Sequence, residues 1–409
     1  MKAWLILADG TIFEGTSIGA QGKTIGETVF TTGMTGYIET ITDPSYFGQI
    51  VTQTFPLMGN YGIIPEDYES KKCWVRGYIV REICDLPSNF RCQGTLNDFL
   101  KTQNIVGICG IDTRALTKRL RESGVMNGMI ISGDIAPAVT SKLLHKIREY
   151  KIEQAVETVS TKEGEASPSV QPAAQSSPTP SAGDTPATPP TLHPHIILWD
   201  FGAKANIQRE LEKRGCRVTV VPCETTADQI LAMNPDGLML SNGPGDPADN
   251  VGIIQEITKI CEYNKRQLAG PSTGSGTAFC SGTAFGSGTV VIFGICLGHQ
   301  MLALARGCKT SKLKYGHRGG NHPVKDTATG RVYITSQNHG YAVESDTLPD
   351  FASLSFYNVN DETCEGITYK DIPAFSVQFH PEACGGPHDT NFLFDNFIAK
   401  IKEVKNASK

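Results

Sequence analysis

At 409 residues, 39% hydrophobic and 19% charged, the chain can bury two or three cores without disulfide or metal staples. A net charge of -5 and a pI near 6.0 give no reason to expect a nucleic-acid or anionic-membrane partner. Apolar runs such as Val290 to Ile295 fall well short of the ~20 residues of a membrane span. Asp9 and Glu14 interrupt the N-terminal apolar run before it takes the form of a signal peptide, so we expect a cytoplasmic protein.

Two folded blocks are expected, 1–150 and 195–401, joined by a Pro/Ser/Ala-rich tether over 151–194. The first opens with strand-like runs, AWLILADG, TIFEGTSIG and GETVFTTG, and then reaches NIVGICGIDTRALTKRLRESGVMNGMI. In that stretch Ala115, Leu116, Arg119 and Leu120 recur at helical spacing, with Asp112 or Thr113 to cap the start and Gly124 to stop it. This block reads as mixed α/β. The tether holds eight prolines between 163 and 194 and almost no large apolar side chain, so it cannot offset its own ordering entropy.

The second block alternates strand and helix: HIILWDFG, NIQRELEKRGC, RVTVVP, TADQILAMN, then DGLMLSNGPGDP running into a glycine-proline loop. That order predicts an open, mostly parallel sheet flanked by helices, an α/β class in which chemistry gathers at the carboxyl edge of the strands. A Gly/Ser/Thr-rich tract near 269–289, GPSTGSGTAFCSGTAFGSGT, repeats internally and lacks a GK[ST] ending, so it reads as a flexible insertion rather than a phosphate loop. It sits at the start of the following strand, away from that strand's carboxyl end, and Cys280 inside it is set aside as a nucleophile.

The chain has twelve cysteines and no pair at CxxC spacing, which disfavours zinc ribbons and dithiol redox motifs and suits a reducing compartment. One of them stands apart. In VVIFGICLGHQ an apolar strand runs into Gly294-Ile295-Cys296-Leu297-Gly298, the form of a nucleophile elbow, with MLALARG as the helix behind it. A cysteine there meets the positive end of the helix, and the Leu297 N–H faces any oxyanion formed on an attacked carbonyl. A thiol nucleophile needs a proton shuttle. AFSVQFHPEACG supplies a strand running into His380 with Glu382 two residues on, able to fix the ring's tautomer. His299 is carried off by the helix and reads as a packing or hydrogen-bonding residue. His317, His322 and His339 read as residues of polar loops with surface or binding roles.

GICLGHQ and FSVQFHPE, in that order and about 80 residues apart, resemble the paired motifs of class I glutamine amidotransferases. DFGAKANIQREL, LSNGPGDP, LKYGHRGGNHPVKD and TSQNHGYAV are similar to the amidotransferase domain of carbamoyl-phosphate synthetase. TTGMTGYIETITDPSYFGQIVTQTFPLMGNYG and GICGIDTRALTKRLRESGVMNG resemble the N-terminal domain peculiar to its small subunit. The resemblance implies that Cys296 forms a γ-glutamyl thioester, that His380 moves the protons and that Glu382 orients it. It implies an oxyanion site at the N–H of Leu297 and of Gly243 or Gly245. It also implies glutamine binding by Ser45, Gln300, Asn338, Gly340 and Tyr341, the last often Phe in the family.

By the same resemblance ammonia passes to a synthetase subunit or fused domain that uses bicarbonate and ATP, in pyrimidine or arginine synthesis. No cofactor is expected on this chain, ATP and its metal ion belonging to the partner, and no metal-ligand cluster is read from the sequence. Two other readings stand beside this one. An amidotransferase for a different synthetase is disfavoured by the IDTRALTKRLRESG block. A catalytically silent regulatory subunit is disfavoured because both Cys296 and His380 are present.

Overall fold

The structure is a computed structural model that describes residues 1–162, 193–269 and 288–407. Most of the expected tether and of the expected insertion lies outside the described residues.

The first block carries β1 (Lys2–Leu7), β2 (Ile12–Gly19), β3 (Lys23–Thr31), β4 (Gln49–Gln53), β5 (Leu57–Met58), β6 (Gly77–Ile79), β7 (Glu82–Ile83), β8 (Val106–Cys109) and β9 (Met126–Ser132). Seven of these close into a barrel in the order β1-β2-β8-β6-β4-β3-β9, with β5 and β7 paired as a separate ribbon. Closure leaves those seven strands no free edge on which another chain could pair. Around the barrel lie α1 (Tyr37–Thr42), α2 (Leu96–Thr102), α3 (Thr113–Ser123) and α4 (Ser141–Arg148). Of the two expected caps of α3, Asp112 serves: its Oδ1 accepts the Ala115 N–H at 2.9 Å, Thr113 is the first helical residue, and the helix ends at Gly124.

The second block runs β10 (His195–Asp200), α6 (Ala205–Lys213), β11 (Arg217–Pro222), α7 (Ala227–Ala232), β12 (Gly237–Leu240), α8 (Val251–Ala269), β13 (Val291–Ile295) and α9 (Leu297–Ala305). It continues with β14 (Thr310–Asp326), β15 (Val332–Val343), β16 (Ala352–Asn358), β17 (Cys364–Tyr369), β18 (Ala374–Val377) and α10 (Phe392–Ala407). All nine strands form one sheet, β11-β10-β12-β13-β18-β17-β16-β14-β15. The first five are parallel and the remaining pairs antiparallel. Strand β13 is central and apolar on both faces. Ile292 packs with Leu240 and Met301 on the side of α8 and α9, and Phe293 packs with Phe394 and Phe397 of α10 on the other. Each such side chain contributes roughly 1.5–3 kcal/mol by leaving water. Among the described residues no helix is long and apolar enough to cross a membrane.

The start of the expected tether is docked rather than extended. Residues 155–159 form α5 (Ala155–Val159), whose Val156 and Val159 are buried. The Ser160 hydroxyl then donates to the Asp200 carbonyl at 2.7 Å and accepts the Cys223 N–H at 2.9 Å, and the Thr161 N–H reaches the Asp200 carboxylate at 2.8 Å. Two valines at helical spacing in an otherwise polar stretch are too weak a pattern to announce this.

The ends flanking 270–287 are also fixed. Asn264 of α8 is fully buried; its amide donates to the Val290 carbonyl at 2.8 Å and its carbonyl accepts the Val290 N–H at 3.0 Å. The side chain thus replaces a neighbouring strand for the residue entering β13. Asn264→Leu leaves both Val290 groups buried and unpaired. It should cost about 2–4 kcal/mol, read as a lower melting temperature in calorimetry.

Candidate active site

Cys296 sits between β13 and α9 at φ +52°, outside the ordinary range of an L-residue. The turn is possible because glycines stand two residues to either side: a Cβ on Gly298 would lie 2.3 Å from the Leu240 carbonyl oxygen. The Cys296 N–H is tied to the Val377 carbonyl at 2.9 Å. That bond sets the elbow beside the end of β18, because Ile295 and Val377 are already paired in register. Strand β18 ends at Val377, three residues before His380, and not at His380 itself as the sequence suggests. The chain then crosses toward β15, where the His380 N–H donates to the Ser336 carbonyl at 2.9 Å. This crossing returns the histidine to the cysteine.

His380 and Glu382 are almost wholly buried, and His380 Nδ1 lies 2.7 Å from Glu382 Oε1. An ionised carboxylate accepts, so Nδ1 donates and Nε2 is left for the Cys296 side. Burial and the Lys204 ammonium both work against a charged ring, but the Glu382 carboxylate and the Cys296 sulfur outweigh them and raise its pKa above the ordinary imidazole value. Burial alone would raise the Glu382 pKa. The His380 and Lys204 charges instead hold it below the usual carboxylate range. The pair makes the ring a stronger base than a free imidazole.

The pocket residues converge on the same point. Ser45, Gly243, Gly245, Gln300, Asn338, Gly340 and Tyr341 line one cavity of 510 Å³ together with Cys296, a volume suited to a small metabolite. Leu297 is buried as the first residue of α9, where its backbone N–H has no intrahelical acceptor; it does not itself line that cavity. Gly243 allows a close approach of backbones, since a Cβ would meet the Phe201 carbonyl oxygen at 2.2 Å. Gln300 donates to the Tyr341 carbonyl at 2.7 Å and to Gln378 Oε1 at 2.8 Å. The Asn338 carbonyl accepts from Cys296 Sγ at 3.6 Å. Ser45 reaches in from the barrel domain, its hydroxyl accepting from the Asn242 amide at 2.9 Å.

Sequence reading missed the charges that hold this arrangement. Lys204, nearly buried, bridges Glu382 at 3.4 Å and Asp43 at 3.7 Å. Asp43 in turn accepts from the Asn338 amide at 3.1 Å and from the Ser45 N–H at 2.9 Å. Burial opposes the Lys204 charge, but Asp43, Glu382 and Glu69 together raise its pKa. The available signal was a lysine immediately before the NIQRELEK helix, where a small polar cap is usual. Arg318 was missed as well; it is buried and lines the same cavity.

The other histidines differ from expectation. His317 and His339 are buried in the long strands β14 and β15, not in polar loops, and His322 is half-buried in β14. A strand bent by bulges mixes polar residues into both faces, which hid the period. His317, His339 and Glu365 bring potential metal-ligating atoms within 4.8 Å of one another. However, His317 is held by Asp361 at 2.8 Å and Glu365 at 3.5 Å. These contacts overcome burial and raise its pKa to about 9, so both ring nitrogens face carboxylates. His299 is fully buried with its Nδ1 hydrogen-bonded to the Ser376 hydroxyl at 2.8 Å, in keeping with the packing or hydrogen-bonding role expected for it.

A sheet with a cysteine elbow, a strand-following His-x-Glu and a glycine-walled pocket defines a class I glutamine amidotransferase, and that family's model matches residues 197–400. The model described as carbamoyl-phosphate synthase small chain, CPSase domain, matches residues 5–130. Relatives named carbamoyl phosphate synthase small chain match nearly the whole length. That of Listeria monocytogenes serotype 4b (strain F2365) is 47% identical over 399 residues, 97% of this chain and 96% of the relative. That of Bacillus anthracis is 46% identical over 406 residues, 99% and 97% of the two chains. The chain belongs to the carbamoyl-phosphate synthase small chain family.

Linkage gives the buried pair a pH signature. The His380 contribution is complete below its ordinary value of 6.5 and fades as pH rises through the raised one. The Glu382 contribution is complete above its ordinary 4.5 and fades as pH falls. Their joint stabilisation therefore peaks between these two pH values. Glu382→Gln should remove that peak from the profile of melting temperature against pH and lower the His380 pKa, followed by NMR of the imidazole protons.

Proposed function

We propose that the chain is the glutamine-hydrolysing component of carbamoyl-phosphate synthetase and that Cys296, His380 and Glu382 carry the hydrolysis. The carrying observation is Cys296 at the elbow, opening on one cavity, with the His380–Glu382 pair behind it.

Cys296 Sγ attacks the side-chain carboxamide carbon of glutamine as His380 takes the thiol proton. The resulting oxyanion accepts from the Leu297 N–H and from the N–H of Gly243 or Gly245, donors fixed before the charge develops. Collapse breaks the C–N bond, with the His380 proton going to the departing nitrogen as ammonia leaves. The γ-glutamyl thioester remains on Cys296. His380 then deprotonates a water molecule, which attacks the thioester carbon; the C–S bond breaks, the thiolate regains its proton and glutamate departs. Ser45, Gln300, Asn338, Gly340 and Tyr341 bind the amino-acid part. Lys204 keeps Glu382 ionised.

A second cavity, of 300 Å³, is lined by His380, while Asn338 lines both. Glutamine occupies the first cavity and ammonia leaves through the second. A synthetase partner, subunit or fused domain, uses it with bicarbonate and ATP, so ATP and its metal ion belong to that partner.

Cys296→Ala should abolish glutamine-dependent carbamoyl phosphate synthesis in the complex and spare the ammonia-dependent reaction, both measured as product formed. Full glutaminase activity in that variant would overturn the assignment.

A further inference from the structure

Among the described residues three lysine or arginine side chains are buried: Lys204, Arg306 and Arg318. Lys204 bridges Asp43 and Glu382, and Arg306 holds the Asp371 carboxylate. Arg318, 5% exposed, makes direct contact with no carboxylate among the described residues. The Glu27 carboxylate acts on it only from a distance, being held itself by Lys312 at 2.8 Å and by the Gln49 amide at 2.9 Å. A buried guanidinium without a counter-charge costs free energy that nothing in the fold returns.

The surroundings of Arg318 show where a counter-charge would sit. The residue is paired with Asn338 in the β14–β15 ladder, and it lines the first cavity together with Cys296. Its Nη1 donates to the Tyr315 carbonyl at 2.7 Å, whereas Nε and Nη2 meet no acceptor among the described residues. Two glycines make room for the guanidinium: a Cβ on Gly316 would lie 2.6 Å from Nη1, and one on Gly340 would lie 3.3 Å from Nη2. The other cations on the cavity wall, Arg148, Lys151 and Lys312, are exposed, where water and salt screen them.

We propose that Arg318 binds the α-carboxylate of glutamine and so fixes one end of the substrate while Cys296 attacks the other. This rests on the proposed hydrolysis at Cys296. Glutamine carries a single anionic group, four bonds from the carbon that the thiol attacks. Ser45, Gln300, Asn338, Gly340 and Tyr341 offer hydrogen bonds but no positive charge to meet it. A guanidinium supplies both, because its fork of N–H donors matches the two oxygens of a carboxylate. Nε and Nη2 point the same way along one edge of that fork, and they are the two nitrogens the protein leaves free.

The test measures glutaminase activity of the full chain with its synthetase partner. Arg318→Gln should raise the KM for glutamine about tenfold or more and leave kcat within about fivefold. The second substrate is 4-aminobutanamide, which is glutamine without its carboxylate. Its kcat/KM, or its protection of Cys296 from iodoacetamide where turnover is slow, should agree between the two proteins to within about twofold. Arg318→Lys keeps the charge and loses the fork, so it should recover part of the affinity for glutamine. An unchanged KM for glutamine would overturn the proposal. So would equal losses on both substrates, which a structural role or one toward the Cys296 thiolate would produce. Absence of glutaminase in the unmutated chain would instead defeat the active-site assignment itself.

Discussion

The structure turns on the backbone at Cys296. An L-residue at φ +52° is strained by about 1–3 kcal/mol and persists only where its surroundings allow nothing else. Here the surroundings are central. The elbow joins the middle strand of the sheet to a helix buried along most of its length, and the Val377 carbonyl holds its N–H. Relaxing the turn would drag Ile295 and Leu297 out of packed positions, each costing more than the strain returns. The thiol is therefore aimed by the core, and the core tolerates the aim because Gly298 has no Cβ to meet Leu240.

A second constraint joins the two domains. Lys204, from the sheet domain, sits between Glu382 of its own domain and Asp43 of the barrel domain, and Asp43 also orders Ser45 and Asn338. Removing one partner from such a buried set leaves an uncompensated charge, which is far costlier than the set is stabilising. Domain position and active-site electrostatics are thus one quantity: the ammonium that keeps Glu382 ionised is held in place by a carboxylate from the other domain. The barrel domain completes the site rather than merely flanking it.

Much of this was legible in the sequence because its signals are local. Alternating apolar and amphipathic runs gave the parallel half of the sheet, and GICLG gave the elbow, since a sharp strand-to-helix turn demands small flanks. His380 and Glu382 were readable as a base with an acid beside it. The closure of β1 to β9 was not, because barrel formation is a property of pairings more than a hundred residues apart, as between Leu5 and Ile130. The buried places of His317 and His339 were hidden for a related reason: in GHRGGNHP bulges break the alternation that would separate inward from outward residues. Lys204 shows in the sequence only as a lysine at a helix start and Asp43 carries no pattern at all, their roles arising only when two domains meet. The docking of 155–162 depends on two valines and one serine that a proline-rich context obscures.

The covalent step at Cys296 is the most direct point of test. Acid quenching of the chain during turnover of isotopically labelled glutamine, followed by digestion and mass spectrometry, reads that step without reference to the partner. A single labelled glutamyl group is expected on the peptide containing Cys296, lost on treatment with hydroxylamine as a thioester is and absent in Cys296→Ala. Steady hydrolysis of glutamine with no such adduct, or with the label on another cysteine, would contradict the proposed mechanism.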